Sequence, residues 1–457
     1  MKELNIAPDG VFDAEAFASR LAREHVADNV EAINRLTPEE AAQVIARLPV
    51  EVAIDILDTR ELWFGAPIVE ALPRPLALTL LTGMSADMAA DIVQLLPDEV
   101  RSPLMQGLDP ATRATIENLL TYPENTAGSI MTTEFVSVPS TFTVEQTLQH
   151  IRRVERTRET VYAIYVLDPV SNRLVTAISL RRLIAGEANA NILSVAHGRE
   201  TITTRPLTDR EEVARLISKY DLLAIPVVDM AGHVIGIVTV DDIIDTIIEE
   251  NTEDVQKFGG MEATVDHYMQ VGLPQMIRKR GGWLCILFLG EMLTASAMQH
   301  YEVELEKALV LTLFIPLIMS SGGNSGSQAT SLLIRALALR EVRLPDWWRV
   351  ALRELPTGLI LGGILGLIGL TRVVLWQNLG LYDYGEHWPL VGLTVAAALV
   401  GVVTFGSVVG SMLPFVLQRA GFDPASASAP FVATLVDVTG LMIYFSVALV
   451  ILRGTLL

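Results

Sequence analysis

The spacing of apolar positions changes three times along the chain, and each change predicts a different kind of element. Up to residue 131, apolar residues recur at three- and four-residue steps in short runs, the period of amphipathic helices. Two runs match most closely, "LTPEEAAQVIARLP" (36–49) and "MSADMAADIVQLLP" (84–97), each with a Thr or Ser cap before the helix and a Pro that ends it. Leu48-Pro49, Leu72-Pro73 and Leu96-Pro97 fall 24 residues apart, and this fixed period predicts an all-α superhelical domain over 1–131. A generic helical bundle is the alternative.

From 132 to 250 the pattern is mixed. A helical "TVEQTLQHIRRV" precedes two strand-like stretches, "YAIYVLD" and "LVTAISL", and the order recurs in "REEVARLISKY", "LLAIPVVD" and "HVIGIVTV". Asp168 to Asp229 spans 61 positions and Ser179 to Thr239 spans 60, so the region reads as a tandem α/β duplication, 132–193 and 194–250. An acidic then basic connector over 251–278 reads as a helix broken at Gly259-Gly260. Over 279–457 five apolar stretches, near 281–300, 308–334, 356–376, 389–417 and 429–452, are each long enough to cross a bilayer. The fold expected is multidomain: α-superhelix, α/β pair, connecting helix and five-helix transmembrane domain.

Charge sharpens this division. The last 180 of 457 residues hold 12 Lys+Arg and 11 Asp+Glu, whereas the first 277 hold 22 and 42. An acidic excess of this size repels nucleic acid and attracts cations. With 51% apolar residues and a mean hydropathy of +0.41, part of the chain belongs in lipid. A single cysteine, Cys285, excludes a disulfide framework, and "MKELNIAPDG" lacks the apolar core of a signal peptide. Arg278, Lys279 and Arg280 precede the first span, and Arg335, Arg340, Arg343, Arg349 and Arg353 surround the loop after the second. Basic flanks stay inside, which puts the acidic half in the cytoplasm and the C-terminus outside.

Two features of the spans carry chemistry. Asp437 lies inside the last apolar stretch, where an ionised carboxylate costs about 2.5–3.5 kcal/mol and is functional by default. Protonation and pairing with a base are the bland alternatives, and Arg372 is the one base inside an apolar run. A hydrated Mg²⁺, held by one or two carboxylates, fits a pore shared by two copies. Glu291 in the first span reads as protonated or facing a partner helix. The second feature is "PLIMSSGGNSGSQAT", where Gly322, Gly323 and Gly326 permit close approach and Asn324 and Gln328 offer amide oxygens. Such a run lines a pore or packs helices together.

Outside the spans, acids gather on particular elements. Asp87 and Asp91 are four apart, Asp242 and Asp245 three apart, and Glu250, Glu253 and Asp254 continue along the connector. Asp209, Glu211 and Asp221 belong to the second α/β unit. Solvated faces carry such runs routinely, but so large an excess needs counterions to become compact, and bridging Mg²⁺ would supply them. In "TVDD", Thr239 and Asp242 stand between strand and helix and resemble a ribose-binding element, with Arg181 and Arg182 as candidate phosphate partners. No G-x-x-x-x-G-K-[ST] and no H-E-x-x-H is present, so nothing points to an enzyme or an energised pump.

The duplicated unit, with "IPVVDMAGHVIGIVTVDDI" its most specific stretch, resembles a pair of CBS domains. The whole order, with "GGNSGSQ" in span two and "APFVATLVDVTG" in span five, resembles the MgtE family of magnesium channels. That resemblance implies a homodimer in which Asp437, with Ala433 one turn before it and Asn324 nearby, binds hydrated Mg²⁺ in a central pore. It implies cytosolic sensing acids that close the pore when Mg²⁺ bridges them. These fall at Asp55, Asp87, Asp91, Asp209, Glu211 and Asp221, and at Asp242, Asp245, Glu250, Glu253, Asp254 and Asp423. Asp55 stands where Glu is expected, and Ser129 in "TAGSIM" where some members carry Gly. ATP enters as a candidate regulator. A proton- or Na⁺-coupled carrier and a membrane-anchored nucleotide sensor are the alternative functions.

Overall fold

The computed structural model describes residues 12–154, 160–196, 198, 200–264, 268 and 271–456. The opening "MKELNIAPDG" and residues 265–267, 269 and 270 of the connector lie outside the described residues. The chain forms two compact units, 1–248 and 249–457.

The first unit begins with nine short helices: α1 (Ala14–Leu21), α2 (Val26–Ile33), α3 (Pro38–Ile45), α4 (Val50–Leu57), α5 (Gly65–Ala71), α6 (Arg74–Gly83), α7 (Ala86–Leu95), α8 (Asp98–Gly107) and α9 (Pro110–Leu119). Odd-numbered helices pack on odd and even on even, α1 on α3 through α7 on α9 and α2 on α4 through α6 on α8, which is a two-row superhelix. The repeated prolines have a second use: Pro49, Pro73 and Pro97 are the N-caps of α4, α6 and α8 and so open the next helix as well as closing the last. The period also fixes packing. A Cβ on Gly83 would fall 2.4 Å from Ile54 Cδ1, and one on Gly107 would fall 2.8 Å from Leu78 Cδ1. Both glycines and both contacting side chains are 24 residues apart, so each repeat closes on its predecessor at the same small residue.

The α/β region follows as β1 (Val136–Pro139), α10 (Val144–Val154), β2 (Ala163–Leu167), β3 (Leu174–Ser179) and α11 (Leu180–Ala185), then α12 (Arg210–Tyr220), β4 (Ala224–Val228), β5 (Val234–Thr239) and α13 (Val240–Phe258). β1 pairs in parallel with β2, which pairs antiparallel with β3; β4 pairs antiparallel with β5. The duplication extends to its irregularities: a bulge at Val166/Leu167 recurs at Val227/Val228, 61 residues on. The equivalent of β1 is reduced in the second copy to a parallel bridge, Thr204 with Val227. One hydrophobic core runs from Phe17 and Leu21 of α1 through the superhelix to Ile217, Val227, Val238 and Ile243 of the second copy. The helical repeat and the second α/β copy are therefore joined by buried apolar surface.

In the second unit α13 ends at Gly259-Gly260, where Gly260 has φ +75° and a Cβ would lie 2.8 Å from the Trp283 ring. There follow α14 (Leu273–His300), α15 (Glu302–Lys307), α16 (Ile315–Ala338), α17 (Trp347–Asn378), α18 (Trp388–Arg419) and α19 (Ala429–Leu452). Five helical stretches among the described residues are long and apolar enough to cross a membrane: Leu273–His300, Leu309–Ala338, Leu344–Asn378, Trp388–Arg419 and Ala429–Leu452. The third starts earlier than the sequence suggests, because Pro356, the expected boundary, lies inside α17. A membrane helix accommodates the lost hydrogen bond where neighbours pack against it. α18 is central and packs on α16, α17 and α19, while α14 leans on α19.

Candidate functional site

The polar run of span two divides by helical face. Gly322 and Gly326 are buried, and a Cβ on either would collide with Val436 Cγ1 at 2.8 Å or Val432 Cγ1 at 2.7 Å of α19. From the other side, Cβ atoms on Gly406 and Gly410 of α18 would strike the carbonyl oxygens of Gly322 and Gly326 at 2.4 and 2.2 Å. Buried hydroxyls between these helices are satisfied: Ser325 and Ser407 share a 2.7 Å hydrogen bond, and Thr330 Oγ1 donates to Gly410 O at 2.7 Å. Gly322 and Gly326, named above as candidate pore-lining residues, allow backbone-to-backbone packing. Asn324 and Gln328, four apart on the opposite face, are exposed on this chain.

Asp437 sits one turn beyond Ala433, and a Cβ on Gly323 would meet Ala433 Cβ at 3.4 Å, so α16 and α19 are in close contact just before the carboxylate. The Asp437 side chain is half-buried and has no hydrogen bond or ion pair among the described residues. Arg372, the candidate counter-ion, is engaged elsewhere, over the rings of Trp376 at 5.5 Å and Phe314 at 5.8 Å. Glu291 is exposed on α14 and adds a like charge to the field at Asp437. One turn of a membrane helix thus presents a carboxylate without a base.

The first unit holds a polar cavity of about 380 Å³ between the loop after α4, the start of α7 and the start of α13. Asp58, Asp87, Asp241, Asp242 and Asp245 line it, together with Arg60. Asp58 Oδ1 accepts from Ser85 N at 2.9 Å and Ser85 Oγ at 2.7 Å; Asp242 Oδ2 accepts from Thr239 Oγ1 at 2.5 Å. Arg60 Nη2 lies 3.4 Å from Asp87 Oδ2 and 3.1 Å from Asp242 Oδ1. Burial is the largest influence on these acids and raises the carboxyls of Asp58, Asp87 and Asp242, the last to about 6, where Asp87 also pushes it up and Arg60 pulls it down. Asp91 and Asp245 act on Arg60 through their charge.

A second acidic group lies in the other unit. Lys257 Nζ reaches Glu253 Oε1 and Asp423 Oδ2, each at 2.5 Å, while Asp423 Oδ1 accepts from Ala425 N at 2.8 Å. Asp254 is raised to about 6 by burial and by the charges of Asp423, Glu250 and Glu253, against the pull of Lys257.

The remaining expected acids are placed differently. Asp55 is exposed on α4 and interacts with Asp58 through charge. Asp209 caps α12, accepting from Glu211 N at 2.8 Å, and Asp221 ends the same helix with φ +52°. Capping and a left-handed turn account for Asp and Asn at such positions without an ion. Glu211 is exposed beside them. Arg181 and Arg182 of α11 make no hydrogen bond or ion pair to Thr239 or Asp242 among the described residues. Sequence reasoning missed Asp58, Arg60 and Lys257. α5 begins at Gly65, three residues later than the 24-residue period from Pro38 would start it, while α4, α6 and α8 keep that period, so the loop carrying Asp58 and Arg60 is lengthened at the expense of α5. Among the described residues no three His, Cys, Asp or Glu side chains converge tightly enough to cage a bare ion. Ions that keep most of their waters, as Mg²⁺ does, need no such cage.

Comparison with known proteins places the chain in a family. Residues 315–447 match the MgtE divalent cation transporter family, 24–125 the MgtE intracellular N domain and 197–249 the CBS domain. The magnesium transporter MgtE of Thermus thermophilus is 42% identical over 345 residues, 76% of this chain and 74% of the relative. Its namesakes in Enterococcus faecalis and Bacillus subtilis are 38% and 33% identical, over 74% and 73% of this chain and 72% and 71% of theirs. Among solved structures, the cytosolic domain of the Mg²⁺ channel MgtE in complex with ATP is 35% identical and covers 51% of this chain and 95% of its own, with a TM-score of 0.48. On the strength of the long relatives, the chain belongs to the MgtE family of magnesium transporters.

Proposed function

We propose that this protein is a magnesium channel in which Asp437 selects hydrated Mg²⁺ and the acids of the cytosolic part close the path when cytosolic Mg²⁺ is high. Transport of Mg²⁺ across the membrane, with the helical and CBS parts as the regulatory, intracellular portion, is the function of the family. The observation that carries the conducting role is Asp437: a half-buried carboxylate in an apolar helix, without hydrogen bond or base. Its cost in hydrocarbon is offset if it faces water and a cation. A homodimer is the arrangement we favour, because a second copy supplies the second carboxylate and a place for the exposed Asn324 and Gln328. The orientation read from the basic flanks then leaves the C-terminus outside.

For sensing, Asp87, Asp242 and Asp245 join the helical repeat to the second CBS unit, and Glu250, Glu253, Asp254 and Asp423 form the second group. Mg²⁺ favours whichever arrangement brings these oxygens together, so the closed state gains population as Mg²⁺ rises. ATP is proposed as a modulator of the same part, since Thr239 and Asp242 are joined at the strand–helix corner; a Mg²⁺ titration with and without ATP tests that coupling. Purified protein in liposomes tests conduction. Mg²⁺ uptake driven by voltage alone, independent of pH or Na⁺ gradients and closed by Mg²⁺ on the cytosolic face, is the expected result. Uptake that requires a proton or Na⁺ gradient would replace the channel with a coupled carrier.

A further inference from the structure

The long loop after α4 carries one base into the acidic cavity. The Arg60 side chain is only 21% exposed and touches acids of two domains, Asp87 of α7 and Asp242 of α13. Arginine stays charged in such a setting and spreads its charge over a planar fork of donors. Among the described residues that line the cavity, one positive charge faces Asp58 and Asp241 as well as Asp87 and Asp242. Asp87 is 5% exposed, and its buried Oδ1 has no partner within hydrogen-bond distance among the described residues. The cavity lining thus carries more carboxylates than cations, and Asp87 presents one buried oxygen without a donor among the described residues.

We propose that Arg60 is a stand-in cation: it ties the helical repeat to the second CBS unit when cytosolic Mg²⁺ is low, and hydrated Mg²⁺ displaces it when Mg²⁺ is high. The inference rests on the sensing role given above to Asp87 and Asp242. With Nη2 already 3.4 and 3.1 Å from the two carboxylates, a second cation cannot enter between them without moving the first. A divalent ion brings twice the charge, and its bound waters donate in directions that a planar guanidinium lacks, including towards Asp87 Oδ1. The two cations are then mutually exclusive, and each weakens the other by the same factor. Arg60 thereby sets how far the joint loosens without Mg²⁺, while leaving the Mg²⁺-bound joint unchanged.

The test is hydrogen exchange on the full-length protein in detergent, read over 85–95 and 239–246, for wild type, Arg60→Gln and Arg60→Lys, each without Mg²⁺ and at saturating Mg²⁺. Without Mg²⁺, Arg60→Gln is expected to exchange about tenfold faster than wild type, with Arg60→Lys between them. At saturating Mg²⁺ the three should coincide. A tenfold difference that persists at saturating Mg²⁺ would make Arg60 a fixed tie, and no difference in either condition would make it idle; both overturn the proposal. If Mg²⁺ slows exchange in none of the proteins, wild type included, the sensing role itself fails. Should Arg60→Gln not accumulate, Arg60→Lys alone still decides, since its smaller difference must also vanish with Mg²⁺.

Discussion

Gly410 of α18 lies so close to Gly326 of α16 that a Cβ on it would stand 2.2 Å from the Gly326 carbonyl oxygen. Because the obstacle is backbone, no side-chain adjustment relieves it. Gly410→Ala must separate the two helices, breaking the Thr330 to Gly410 hydrogen bond and moving α19, which packs on both. A loss of at least about 2 kcal/mol in stability is expected, with reduced uptake. Thermal unfolding in detergent checks it, and an unchanged melting temperature would show that the helices have room to spare. Gly363, around which nothing lies within 4 Å, serves as the control: Gly363→Ala should leave the melting temperature where it is or raise it.

Asp242 and Asp245 test sensing. Replacing both with Asn keeps their size and removes two charges from the cavity. Closure by cytosolic Mg²⁺ should then need roughly tenfold more of the ion, in current recordings from patches. Wild-type closure in the double variant would remove the cavity from the control mechanism. Asp209→Asn serves as a contrast, because an Asn caps α12 as well as an Asp does, and little change is expected.

Protons should compete with Mg²⁺ for the same oxygens. Asp242 titrates at about 6 in the folded unit, raised by burial and then by Asp87, against 3.8 for an ordinary aspartate. A raised carboxyl stabilises the folded state fully below its unfolded value and loses that contribution as pH rises through about 6. Lowering the pH from 7.5 to 5.5 should therefore raise the stability of the Mg²⁺-free cytosolic part, by about 1 kcal/mol for one such group. It should also shrink the extra stabilisation that Mg²⁺ gives. Asp109, Asp168 and Asp229 are shifted downward and act only at lower pH, whereas Asp58 and Asp87, raised by burial in the same cavity, act in the same direction as Asp242. A melting temperature that falls on acidification over this range, with an undiminished Mg²⁺ effect, would be the opposite result.

Much of this was legible in the sequence because it repeats or runs long. The Leu-Pro period marked the helical rows, the 61-residue offset marked the paired α/β units down to their bulges, and five apolar stretches marked the spans. Asp437 stood out because a carboxylate among apolar residues is visible without a structure. What stayed hidden depends on tertiary contact. Gly322 and Gly326 could not be told from pore-lining glycines until Gly406 and Gly410 were found against them, 84 residues away in each case. Arg60 carries no signal in the sequence, because its partners Asp87 and Asp242 come from two other parts of the chain. Asp209 and Asp221 stand at helix ends, where capping and a left-handed turn favour the same residue type as an ion would.

The most direct measurement is Mg²⁺ uptake by proteoliposomes containing Asp437→Asn, compared with wild type at equal amounts of folded protein. Asn keeps the size and shape, and removes the charge together with one acceptor oxygen, which becomes an NH2 donor. Uptake should fall at least about a hundredfold while the melting temperature holds or rises, because an uncompensated carboxylate in an apolar helix is costly to stability. Wild-type uptake through a well-folded Asp437→Asn protein would mean that the ion never meets this carboxylate.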